Sequence, residues 1–133
     1  MTDIEVNEII LALLKNHRDD VVVNVEEFCD LLKHSLSLNT DEKKRVIDAV
    51  AKNDDQPGLS QFQFDELTKV FVEERQKFRE LAWKHPEDIK KLLTKQKKEW
   101  LQLGEVYIAE KAKKEVEQQD AWAIDDIKAQ LGL

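Results

Sequence analysis

Apolar residues recur at three- and four-residue intervals along most of this 133-residue chain, a pattern that predicts helices and little else. Val6, Ile9, Ile10, Leu13 and Leu14 form one stripe. Ahead of it, Thr2 with Glu5 three residues on has the spacing of a capping box, in which each side chain satisfies the other's free backbone N–H. This first helix should end near His17–Asp20. The β-branched run Val21–Val23 reads as a short extended linker, too short for an independent strand. Asn24 with Glu27 repeats the capping spacing, and Val23 with Phe28 frames it as a hydrophobic staple. Leu31, Leu32 and Leu36 continue that stripe. A third helix should begin at Asn39 or Thr40 and turn Val46, Ile47 and Val50 inward. Its Asp41 and Glu42 fall in the first turn, where the helix dipole favours negative charge.

Residues 53–58, Asn-Asp-Asp-Gln-Pro-Gly, are the strongest break in the chain. Ser60 and Gln63 then restart a helix, with Leu59 and Phe64 as its staple. Phe64, Leu67, Val70, Phe71, Phe78 and Leu81 are expected on one side of it. It should stop at Lys84-His85, because Pro86 disfavours helical geometry in the residue before it. Pro86 in turn suits the first position of a fifth helix, with Glu87 and Asp88 beside it. Ile89, Leu93, Gln96, Trp100, Leu103 and Tyr107 follow at alternating intervals of four and three, as in a coiled coil. Gly104 interrupts this stripe and reads as a tolerated kink. A helix reaching residue 117 would be about 48 Å long, more than a compact domain of this size needs. Part of it should project or pair with another chain. Ala123, Ile124, Ile127 and Leu131 group as a last short helix.

Composition agrees with long solvated helices. Charged residues make up 37% of the chain, against about 25% in ordinary domains, with only 3 Gly and 2 Pro. The net charge of −7 is uneven. Residues 1–58 carry 7 Lys and Arg against 13 Asp and Glu, whereas residues 59–133 carry 14 against 15. An acidic chain is a poor general nucleic-acid binder, since phosphate contact needs a cationic face. The single Cys29 provides no disulfide framework and reads as a reduced thiol, which places the protein in the cytoplasm. The acidic N-terminus is unlike a signal peptide. The longest apolar run, Ile9–Leu14, is far too short for a membrane span.

Candidate chemistry is sparse. A calcium loop over Asn53–Glu66 fails: placing Gly58 at the obligatory glycine puts Pro57 and Phe64 at ligand positions. None of His17, His34 or His85 has a Glu three residues before it, as a carboxylate-bridged metal site in a bundle would require. Those histidines are expected at helix ends. No phosphate loop, nucleophile elbow or Cys/His signature is present. No catalytic residue, cofactor or metal is therefore expected.

Two stretches carry binding hypotheses. Residues 84–98 hold six lysines against Glu87 and Asp88, flanked by Trp83 and Trp100. Lys90, Lys91, Lys97 and Lys98 are the candidates for contact with an anionic partner: an acidic protein ahead of nucleic acid, or anionic lipid. The alternatives are a solvated face with pairs such as Glu87–Lys91 and Lys95–Glu99, or docking on the chain's own acidic half. The second stretch is the tail, where Trp122, Ile124, Ile127 and Leu131 could anchor a partner's groove or cap their own bundle.

These readings define an all-α fold: an irregular bundle of five to six helices with a long antiparallel hairpin over about residues 60–117. Residues 1–56 form an acidic three-helix subassembly, 60–117 the hairpin and 120–132 the short C-terminal amphipathic helix, within one domain. Phe71, Phe78, Trp83 and Trp100 are expected to face one another as core. The function expected is a non-catalytic protein-binding module, an adaptor or accessory subunit, with homo-oligomerisation through the coiled-coil-like stripe as one option. The alternatives are an acidic regulator that mimics phosphate or nucleic acid, and direct anionic contact through residues 84–98.

Overall fold

A computed structural model describes residues 1–53, 55–130 and 132, and side chains among these outside 116–130. Among the described residues the fold is an all-α bundle of five helices: α1 (Asp3–Lys15), α2 (Val25–Lys33), α3 (Thr40–Val50), α4 (Gln61–Lys84) and α5 (Pro86–Gln130). The described residues contain no strand, and a single antiparallel bridge joins His17 to Ala51.

Each of the first four helices begins where a side-chain oxygen can take an orphan N–H. Ser60 and Gln63 form the full reciprocal box at α4, and Asn39 with Glu42 forms another at α3. At Thr2 and Asn24 only half of the expected box is made. The cap accepts the N–H of Glu5 or Glu27, but the glutamate turns to the capping side chain rather than to its backbone. His85 alone separates α4 from α5. His34 and His85 are the C-caps of α2 and α4, and His17 follows the end of α1.

α1 packs against α2, α3 and α5, while α4 packs against α2 and α5. The core is built from Val6, Ile10 and Leu14 of α1, Phe28, Leu31 and Leu32 of α2, Ile47 and Val50 of α3, Phe64 and Phe71 of α4, and Trp100, Leu103 and Tyr107 of α5. Leu36 lies in the α2–α3 connection rather than on α2. That connection is held from both sides of the hairpin. Glu74 of α4 accepts from the Ser35 hydroxyl at 2.9 Å and the Ser37 N–H at 3.2 Å. On the other side, Thr40 donates to the Glu99 carbonyl of α5 at 3.2 Å.

Several expectations about the two long helices change. The aromatics of α4 do not meet those of α5. Phe28 of α2 sits between Phe64 and Phe71, with ring centroids 4.8 and 5.9 Å away. Trp100 instead reaches α1. Trp83 is not core at all: 90% of its surface is exposed. Val70 and Leu81, expected inward, are also exposed, because each lies about a quarter-turn off the line of Phe64 and Phe71 that faces α2. Gln96, Trp100, Leu103 and Tyr107 of the coiled-coil-like stripe are buried inside the chain's own bundle.

Gly104 does not interrupt α5. Its role is close approach: an added Cβ would lie 2.6 Å from Val6 Cγ2 and 2.8 Å from Met1 Sδ, so only a hydrogen lets α1 lie this near. The core also contains one cation. Lys43 of α3 is fully buried, with Nζ donating to the Lys33 carbonyl at 3.0 Å and sitting 6.0 Å from the Trp100 ring centroid. Burial pushes its ammonium down to about 8, against the opposing pull of Glu99 and Glu74.

Candidate functional site

Two surfaces stand out, one concave and one projecting. The concave one is a groove of about 710 Å³ where α1, α3 and α5 meet, within the size range of ordinary ligand sites. Its apolar wall comes from Ile9 and Leu13 of α1 with Tyr107 and Ile108 of α5. Ile9 and Leu13 are the flanks of the α1 stripe. Val6, Ile10 and Leu14 point into the core, which leaves their neighbours half-buried at its edge. Ile108 lies beside the buried seam of α5 rather than on it, and it stays 46% exposed.

A charged network fixes one rim. Tyr107 donates to Asp48 Oδ1 at 2.9 Å, and Lys44 spans Asp48 and Glu110 at 2.7 and 2.9 Å. Burial, then the Asp48 carboxylate, push the Tyr107 hydroxyl well above the usual phenol range. It is therefore a fixed hydrogen-bond donor and no acid–base group near neutrality. Lys52 on the same rim is engaged by Asp19 at 2.6 Å. Lys111 and Lys114 are exposed and form no ion pair among the described residues.

The projecting surface is the α4–α5 corner. Every residue from Trp83 to Asp88 is exposed. Lys90, Lys91, Lys97 and Lys98 are exposed too, on the side of α5 away from Gln96 and Trp100. The structure thus brings the four predicted lysines onto one solvated face. Glu87 pairs with Lys90 at 3.4 Å rather than with Lys91, and Lys95 pairs with Glu99 at 3.7 Å. Lys91, Lys97 and Lys98 form no ion pair among the described residues, so they are not docked on the acidic half of the chain.

Some of the acids of that half are answered by other cations, and Glu5, Glu8, Glu26, Glu27, Asp41, Glu42 and Asp55 form no ion pair among the described residues. Asp3 meets Lys33, Asp20 meets Arg18, Asp30 meets Arg75 and His34, and Asp19 meets Lys52. The predicted tail anchors Trp122, Ile124, Ile127 and Leu131 lie outside the described side chains. Sequence reasoning missed the groove, because its residues come from three helices. It misplaced Trp83, although that residue's position next to a helix corner was a usable sign.

Burial pushes the Cys29 thiol up to about 11, which keeps it a protonated core group. Among the described residues no three His, Cys, Asp or Glu side chains are placed to hold a metal ion. No described helix is long and apolar enough to cross a membrane. Comparison of the chain with protein-family models, curated proteins and solved structures gives no match.

Proposed function

We propose that this chain is a non-catalytic protein-binding module, an adaptor or accessory subunit, whose α1–α3–α5 groove receives an amphipathic helix of a partner protein. The observation that supports this reading is the groove itself, an apolar wall beside two lysines that have no internal counter-charge among the described residues. An apolar stripe entering such a groove gains by leaving water. Acidic residues flanking that stripe would meet Lys111 and Lys114, which sets specificity and register more than raw affinity. The acidic-mimic reading draws no support from the groove, whose exposed Lys111 and Lys114 call for an acidic partner rather than a cationic one.

The test is site-specific photo-crosslinking in cells that express the protein. A photoreactive side chain at Ile108 should trap a discrete partner, identified by mass spectrometry as carrying an acidic amphipathic helix. The same group at exposed Val72 on α4 should not trap it. Ile108→Asp with Lys111→Glu should abolish capture while leaving the melting temperature unchanged. Equal trapping from both positions, or none from Ile108, would remove the groove as the binding site.

A further inference from the structure

The α4–α5 corner has a composition and shape that the groove reading does not use. Trp83 is the most exposed large apolar side chain described, and Leu81 beside it is 41% exposed. Lys84, Lys90 and Lys91 surround the vertex in sequence, with Lys97 and Lys98 two turns further along α5. Residues 84–98 carry a net +4 in a chain of −7, so charge is segregated toward this end.

From these observations the geometry points to the corner as a docking site for an anionic lipid bilayer. The vertex offers one exposed aromatic, where strand-binding surfaces stack several. A plane is the shape that a projecting vertex meets without steric conflict. Tryptophan is favoured at the headgroup boundary, where its ring lies among acyl chains and its N–H stays hydrated. Lysines near an anionic leaflet are attracted over about one Debye length, roughly 8 Å at physiological salt. Lys97 and Lys98 lie about 17 Å along α5 from Pro86, so they come within that range only when α5 lies along the surface rather than standing on it. Glu87 is already neutralised by Lys90. This is attachment to one leaflet and requires no spanning segment.

The experiment is co-sedimentation of the full chain with phosphatidylcholine vesicles, with and without about a third phosphatidylserine. Binding is expected only to the anionic vesicles and should fall steeply as salt is raised. Trp83→Ala should weaken partitioning about tenfold, and the triple change Lys91→Glu, Lys97→Glu, Lys98→Glu by roughly 100-fold or more. All four positions are exposed, so circular dichroism and thermal melting should match the parent. Ile108→Asp in the groove should leave vesicle binding intact, which separates failure here from failure of the protein-binding reading. Absence of binding to anionic vesicles, equal binding to neutral ones, or insensitivity to both corner variants would overturn the inference. So would binding of a single-stranded oligonucleotide, lost in the same variants, in place of vesicle binding.

Discussion

The indole Nε1 of Trp100 donates to Asn7 Oδ1 across 2.9 Å, joining the fully buried centre of α5 to α1. The two residues are 93 positions apart, and nothing local to either requires the bond. Replacing Asn7 by Leu would leave the indole N–H buried without an acceptor. Stranding a buried donor costs about 1–3 kcal/mol. Urea denaturation should show Asn7→Leu destabilised by that amount. Asn7→Asp keeps an acceptor oxygen and should lose less. Equal stability of Asn7→Leu and the parent would show that the bond contributes nothing net.

Gly104 sets a second contact between the same helices. In an exposed helix, Gly→Ala would stabilise by about 1 kcal/mol. Here the new methyl meets the branched, fully buried Val6 side chain. Overpacking of this kind costs typically 1–3 kcal/mol. Gly104→Ala should therefore lower the melting temperature. Adding Val6→Ala makes room for the methyl, so the double variant should be more stable than the sum of the two single effects. A stabilised Gly104→Ala would show that α1 can shift away at little cost.

Lys43 gives the fold a pH dependence opposite to that of a paired surface lysine. Its ordinary value near 10.5 falls to about 8 in the folded chain. Between those values the unfolded chain binds more protons, so stability rises with pH across that window. Raising pH from about 7.5 to 9 should add about 1 kcal/mol from this group. Cys29 works in the other direction above its unfolded value near 9, because burial raises it to about 11 when folded. Urea denaturation at the two pH values should show the gain in the parent and its loss in Lys43→Met. A parent whose stability falls over this range would show that Lys43 is not held at a lowered value.

Much of this architecture was legible along the chain. Ser60, Gln63 and Pro86 mark helix boundaries through bonds made within three residues of themselves, and such bonds form whatever the rest of the chain does. The stripes of α1 and α5 were readable for the same reason, since helical period alone decides which positions share a side. The reading failed where one helix outruns its neighbour. Trp83 sits at the end of α4, past the residues that meet α2, and periodicity carries no information about the length of a partner. It failed again at Lys43, where a charged residue in a helical sequence normally signals solvent. The space beside Trp100 and the free carbonyl of Lys33 exist only once α2, α3 and α5 are assembled.

The order of residues by itself determined that this chain would be helical, where α1 to α5 begin, and which side chains would seek shelter, because caps and periodicity act over one or two turns. The separate helix expected over 120–132 is instead continuous with α5 as far as Gln130. Which shelter each side chain found was decided only by the tertiary structure. Trp100 and Trp83 belong to the same residue type and lie 17 positions apart. One is enclosed by α1 and α3 and the other stands in solvent, because packing depends on what crosses a helix at that height. The groove and the basic corner follow from the same geometry, as places where five helices of unequal length leave their surfaces unmatched.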